Sequence, residues 1–269
     1  MGTGVLMESA AITAERTAYR KIKQLLGNPR AIAEPRGNDM GFPDFGFTFK
    51  VEGKVVDLHF EFKMNRNAPM GSSRRWRFDG EKFTVPDAER EEEVLLMLAM
   101  NSSPECINNG VRLLGELRKH FDERVKEIST STFGVERDTK VRRQKIEEFK
   151  KKAGILTIAK GIENSAFGAG IIQRYRRKWR EVIRPSAAYS MLFFVIGDSI
   201  WFVDEIGTLD YIQKQGIARL FGAEQIPELK GLRARVEARI SPKITEGKMD
   251  VIAITRLTGD PQTQGLQIF

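Results

Sequence analysis

Hydrophobic positions along this chain change period several times, and each change predicts an element. "AITAERTAYRKIKQLLG" places Ile12, Tyr19, Ile22 and Leu26 on one helical stripe, with Gly27 as its stop and Pro29 just beyond. Glu15 falls in the same stripe, so a carboxylate lies on the side expected to be buried. From Phe45 to Lys63 the period becomes two, and Glu52-Gly53 offers a tight turn between two alternating strands. A loop rich in Gly, Ser, Asn and Pro leads to a helical middle region. There "AEREEEVLLMLAM" predicts one helix with acidic first turns, and Ser103-Pro104 opens a second running through Val111, Leu114, Leu117, Phe121, Val125 and Ile128. A third, "DTKVRRQKIEEFKKKAG", is capped by Asp138 and stops at Gly154. The last third returns to strands: a hairpin "YSMLFFVIGDSIWFV" around Gly197-Asp198, then "LRARVEARI" and "KMDVIAITRL". This mixture predicts an α/β chain (α+β mixed).

Composition narrows the class. Of 269 residues, 41% are apolar and 30% charged, the balance of a globular chain with a substantial core. No apolar run is long enough to span a bilayer, and "MGTGVLMESAAITAER" lacks the pattern of a signal peptide, so a cytoplasmic protein without membrane attachment is expected. A lone Cys106 excludes an internal disulfide, and Cys106, His59 and His120 supply no structural zinc set. The net charge is +8, yet between Arg137 and Arg184 there are 15 Lys and Arg against 5 Asp and Glu, a local excess of +10. The remainder is slightly acidic, and positive charge concentrated in one region is the pattern of a nucleic-acid footprint.

The second arm of the first hairpin, "VVDLHFEFK", carries the candidate chemistry. Leu58, Phe60 and Phe62 face one way, while Asp57, His59, Glu61 and Lys63 face the other. An edge strand guarded by charges against aggregation is one reading. The other begins at Pro43-Asp44, at the entrance to the preceding strand, from which Asp44 can approach Glu61 so that the two share a divalent cation. Hard cations such as Mg2+ take oxygen ligands and keep several waters, which leaves room for a phosphate oxygen. Lys63 projects to the same side, where it can orient an attacking water and stabilise charge on phosphoryl oxygens.

Pro43-Asp44, followed after 16 intervening residues by Glu61-Phe62-Lys63, resembles the motif of the PD-(D/E)XK nuclease superfamily. The resemblance covers roughly the first quarter to third of the chain. It implies a restriction-endonuclease-like core, a central mixed sheet flanked by helices, with further helical and β additions. It implies Asp44 and Glu61 as metal ligands, Lys63 as the catalytic lysine, Mg2+ as cofactor with Mn2+ as a possible substitute, and an added acidic residue from the first helix, which Glu15 fits. An acidic residue at the edge of an amphipathic stripe is an equal reading of Glu15. Asp57 and His59 are extra to the motif, and His59 is read as a structural residue.

Two basic clusters follow. Arg74, Arg75 and Arg77 surround Trp76, a combination suited to phosphate or guanine contacts and base stacking. In "NSAFGAGIIQRYRRKWREVIR", Arg174, Arg176, Arg177, Lys178, Arg180 and Arg184 surround Tyr175 and Trp179. As a helix, Ile172, Tyr175, Trp179, Val182 and Ile183 form its apolar side, and Arg176, Arg177, Arg180 and Arg184 a cationic face. The "FGAG" segment is read as a loop whose amides approach phosphate. Arg233, Arg235 and Arg239 on an alternating strand are a third candidate surface.

The expectation is one nuclease domain over residues 1–269, with a motif region at about 8–85, a basic helical region at about 87–185 and a β-rich region at about 187–269. Its expected function is Mg2+-dependent, sequence-specific endonucleolytic cleavage of double-stranded DNA, as a homodimer because a duplex cut needs two sites. A structure-specific recombination or repair nuclease, such as a resolvase or exonuclease, and a nucleic-acid-binding protein without catalysis are the alternatives.

Overall fold

Helix α1 (Ala10–Leu25) and strands β1 (Arg30–Ala33), β2 (Phe45–Val51) and β3 (Lys54–Lys63) follow the sequence periodicity closely. The computed structural model describes residues 10–35, 42–65, 68–70, 75–85, 90–122, 158–258 and 261–268. β2 and β3 pair antiparallel from Phe45↔Phe60 to Val51↔Lys54, and the turn is built by Glu52 at φ 48° and Gly53 at φ 80°. Two successive positive φ values give the turn the twist that matches the flanking strands.

Further along come β4 (Arg75–Phe78), β5 (Phe83–Thr84), α2 (Glu91–Asn101), α3 (Pro104–Asp122) and β6 (Ile158–Asn164). Helix α4 (Ser165–Val182), β7 (Tyr189–Ile196), β8 (Ser199–Gly207), α5 (Tyr211–Leu220), β9 (Arg233–Thr245), β10 (Lys248–Thr258) and β11 (Leu266–Gln267) complete the order. The chain is therefore mixed α/β. It forms two compact units: Met1–Ala68 with Gly168–Arg233 and Thr258–Phe269, and Pro69–Phe167 with Ala234–Leu257. These units interleave along the chain, whereas the three stretches expected from the sequence are consecutive.

The first unit holds a six-stranded mixed sheet in the order β1-β2-β3-β7-β8-β11. β3 and β7 run parallel, from Val56↔Tyr189 to Lys63↔Ile196, and the other neighbours are antiparallel. A parallel pair needs a crossover, and α4 lies in the chain between these two strands. One sheet face carries Phe45, Phe47, Leu58, Phe60, Tyr189, Phe193 and Val195, which pack with Ala18 and Ile22 of α1 and Ile217 and Ala218 of α5. Phe60 stacks between Phe45 and Phe193, with ring centroids 5.1 and 5.2 Å away. The other face lies against α4, whose Trp179 ring meets His59 and whose Tyr175 ring meets Phe194.

β3 is thus an interior strand between β2 and β7, which removes the reading of an edge strand. Asp57, His59 and Glu61 are 0%, 3% and 4% exposed. The "FGAG" segment is helical from its first residue and is no loop. Gly168 serves packing there, since a Cβ at this position would sit 2.0 Å from the Leu232 carbonyl oxygen.

The second unit holds a five-stranded sheet, β5-β4-β10-β9-β6, together with α2 and α3. Leu113, Leu114 and Leu117 of α3 are buried, but Val111 is 48% exposed, so the stripe drawn from the sequence lies to one side of the true one. The predicted helix from Asp138 to Gly154 lies outside the described residues, as do Val125 and Ile128.

Two residues past α4, Arg184 closes the far end of the charged row on β3. Its Nε donates to Asp57 Oδ2 at 2.8 Å, and its Nη2 donates to Asp57 Oδ1 at 2.5 Å and to Thr48 Oγ1 at 3.0 Å. Asp57 is fully buried whereas the Arg184 side chain is 39% exposed. Removing the cation strands a buried carboxylate; removing the carboxylate leaves an arginine that can turn to water. Arg184→Ala is therefore expected to cost about 3 kcal/mol in urea unfolding, and Asp57→Ala measurably less.

Candidate active site

The β2–β3 register builds the acidic pair. One step beyond Phe45↔Phe60, Asp44 comes opposite Glu61 where the two strands end their pairing. The Phe62 amide donates to Asp44 Oδ2 at 2.7 Å, which ties the Asp44 carboxylate to β3. Lys63 Nζ donates to Glu61 Oε1 at 2.6 Å, with side-chain exposures of 14% and 5%. Glu15, on the half-buried edge of α1, lies near enough that Glu61 raises its pKa and that it in turn raises that of Asp44. Asp44, Glu61 and Lys63 are therefore gathered at one end of the β2–β3 pair, with Glu15 within electrostatic reach on α1.

Their electrostatics follow from crowding in a desolvated place. Burial, the Glu61 charge and, more weakly, Glu15 push the Asp44 carboxyl up to about 7, against the opposing pull of Lys63 and the Phe62 amide. Burial also raises Glu15. Burial pulls Lys63 down, but Glu61, Tyr175 and Asp44 outweigh it, so the ammonium is held above its ordinary range and stays charged. Fully ionised, the three carboxylates and one ammonium would carry −2; with Asp44 protonated below about 7 the site carries −1.

Among the described residues no three carboxylate, histidine or cysteine side chains form a ready-made metal cluster. The Glu61 carboxylate is turned to Lys63 and the Asp44 carboxylate to the Phe62 amide. The donor set nevertheless fits a hard divalent ion. It is all carboxylate oxygen, it carries the excess negative charge that such an ion neutralises, and Asp44 holds a proton that an ion would replace.

Tyr175 is the site residue that sequence reasoning missed. Helical spacing assigned it to the apolar side of α4, and the ring does pack there, 5.0 Å from Phe194 at 86° and 5.5 Å from Phe42. Its polar tip lies at the charged end of β3: burial and the Glu61 charge raise the phenol, and the ring centroid lies 6.0 Å from Lys63 Nζ. Nothing in an apolar stripe distinguishes a tyrosine with a polar neighbour from one without.

His59 remains neutral, as a structural residue. Burial, opposed by Asp57 and aided by Arg184, pushes it down to about 4, and its ring lies edge-on to buried Trp179.

The basic residues divide. Arg176 donates to the Val203 carbonyl at 3.2 and 2.7 Å, Arg180 pairs with Asp204 at 2.9 Å, and Arg184 holds Asp57. Three members of the cationic face drawn from the sequence are thus engaged by partners within the chain. Arg174 is half-buried, while Arg177 and Lys178 are exposed, with Lys178 Nζ 4.9 Å from the Phe42 ring centroid. Arg77, in the second unit, pairs with Glu246 at 2.6 Å. Arg75 lies in β4, and Arg74 falls outside the described residues. Arg233 and Arg235 are exposed on β9, where Arg235 pairs with Glu237 at 3.2 Å.

Comparisons with protein-family models, with curated proteins and with solved structures find no match to this chain.

A carboxyl raised from an ordinary 3.8 to about 7 binds its proton more tightly in the folded state, so its contribution to stability is present at low pH and lost as pH rises through 7. In EDTA the protein is expected to gain stability as pH falls from about 8 to about 6.5, with a slope below about 1.4 kcal/mol per pH unit. The lower edge of this window meets the unfolded-state titration of His59, whose opposite sign subtracts from the gain there. Asp44→Asn should abolish the gain in denaturant titrations at both pH values.

Proposed function

We propose that this protein is a Mg2+-dependent nuclease of the PD-(D/E)XK type, cleaving double-stranded DNA as an endonuclease. The observation that carries this reading is the placement of Asp44, Glu61 and Lys63 together at the end of one strand pair, with Glu15 of α1 within electrostatic reach. The helix–strand–strand–strand–helix–strand order of α1, β1, β2, β3, α4 and β7, with β3 parallel to β7, supports the restriction-endonuclease-like core that the motif implies.

Asp44 and Glu61 are the residues that would hold the cation. Once bound, Mg2+ supplies Lewis-acid neutralisation of charge on the phosphoryl oxygens. The chain's own groups then perform the remaining work. Lys63 is held charged in a desolvated setting, where an ammonium aimed at a phosphoryl oxygen stabilises developing negative charge far more than it does in bulk water. It also orients the attacking water by donating to it. Glu15 adds a carboxylate able to accept a hydrogen bond from that water. Phe62 fixes Asp44 through its amide, so the ligand geometry rests on backbone pairing.

Arg177 and Lys178, exposed on α4, are the phosphate-contacting cations this reading assigns nearest the site, with Arg174 beside them. Arg75 and Arg77 belong to the second unit, which in this reading supplies further substrate contacts, and Arg74 is assigned with them by its place in the sequence. A homodimer would bring two such sites to the two strands of a duplex. No helix among the described residues is long and apolar enough to cross a membrane, and the proposed setting is the cytoplasm.

With Mg2+ or Mn2+, wild-type protein is expected to cut linear and circular duplex DNA, and EDTA to stop it. Lys63→Ala and Asp44→Asn should each lower the rate roughly 100- to 10,000-fold with DNA binding unchanged in EDTA. Discrete bands mark sequence reading, and digestion from ends or at branches marks a repair or recombination nuclease. Salt-sensitive binding without cleavage of any duplex, branched or single-stranded substrate rejects the enzyme in favour of a binding protein.

A further inference from the structure

We propose that the cavity between α5 and the β7–β8 strands is a binding site for a small organic cation, a molecule with an aromatic or branched aliphatic body and a single ammonium group. The cavity opens on the sheet face opposite α4, away from the acidic row of β3, so the inference stands independently of the nuclease reading.

The space itself sets the body of the ligand. Met191 of β7 and Phe202 of β8 form the floor, and Ile217 and Ala218 of α5, with Ile226 beyond the helix, form the walls of a cavity of about 320 Å3. An apolar cavity of about 150 Å3 admits a benzene ring, so this one has room for a ring with a short side chain. Ala218 faces the cavity with a single methyl, and the chain returns to the core at Ile226 only after turning at Gly222, φ 73°.

Charge at the mouth sets the polar group. Glu205 and Lys214 line it but are engaged with each other: the Lys214 ammonium and the Tyr189 hydroxyl donate to the two Glu205 oxygens, and Lys214 Nζ lies 5.7 Å from the Tyr189 ring centroid. Glu224, exposed on the turn after α5, has no cation of its own among the described residues. Two carboxylates and one ammonium leave the mouth negative, which favours an ammonium and repels a carboxylate. Tyr211 adds an aromatic face that attracts the same cation. It is 73% exposed yet fixed in place, because Gln215 Nε2 donates to its hydroxyl at 2.7 Å.

The walls are held without a ligand. Asp210 and Gln213 form a reciprocal cap at the start of α5. Gln213 Nε2 also donates to Glu52 Oε2 at 2.7 Å, and its Oε1 accepts from Lys54 Nζ at 3.3 Å. The helix is thereby pinned to the β2–β3 turn, and a site already formed loses little affinity to ordering.

Phenethylamine, phenethyl alcohol and hydrocinnamate share one ring and reach and differ in charge, so they test both halves of the assignment on the full chain. Binding is read by NMR from the Met191 methyl signal in protein carrying isotope-labelled methionine, assigned with Met191→Leu. Phenethylamine is expected to move that signal saturably with a Kd of about 1 mM, and to bind about 10-fold more tightly than hydrocinnamate. Glu224→Gln should weaken phenethylamine about 3-fold and leave phenethyl alcohol unchanged. Ala218→Leu, which fills the space, should abolish binding of both. Should Ala218→Leu fail to fold, as judged by thermal melting, the ligand series and Glu224→Gln decide alone. A Met191 signal unmoved by phenethylamine at about 10 mM overturns the proposal. So do hydrocinnamate binding as tightly as phenethylamine, undiminished phenethylamine affinity in Glu224→Gln, and a folded Ala218→Leu protein that still binds.

Discussion

A strand with an ionisable side chain at every second position runs through the interior of a sheet, and the rest of the first unit is arranged around that fact. Asp57, His59 and Glu61 are buried on β3, with helix α4 laid over them. Unpaired charge in such a place costs several kcal/mol, so each group has a separate solution. Asp57 receives a bidentate Arg184, His59 gives up its proton, and Glu61 is met by Lys63. Where the row ends, beside Asp44 and Glu15, carboxylates outnumber cations. That residual imbalance is what the proposed cation would neutralise.

Helix α4 mediates between fold and site. Its basic run reads as a surface for polyanions, yet Arg176 caps the Val203 carbonyl and Arg180 pairs with Asp204. Arg184, just past the helix, neutralises Asp57. These contacts hold the helix on the sheet, and its Tyr175 and Trp179 are thereby held over β3. Two exposed cations of α4, Arg177 and Lys178, sit one turn or less from Tyr175. A single helix thus fixes the sheet, lines the acidic end and presents charge outward, because 3.6-residue periodicity sends neighbours in the chain to different faces.

Much of this was legible in the sequence because it depends on local periodicity. Alternation from Phe45 to Lys63 with Glu52-Gly53 between fixes a hairpin and its register, and register alone brings Asp44 opposite Glu61. The stripe of α1, with Glu15 among its apolar members, and the strands around Gly197-Asp198 were readable for the same reason. What tertiary structure decided is everything that depends on which element lies against which. The partner of Asp57 is 127 positions away, Tyr175 is drawn to Glu61 only by the crossover that makes β3 and β7 parallel, and β3 is interior only because β7 returns beside it. Spacing along a chain encodes which side chains share a face. Which charges on that face are neutralised, and which remain for chemistry, is set by long-range packing.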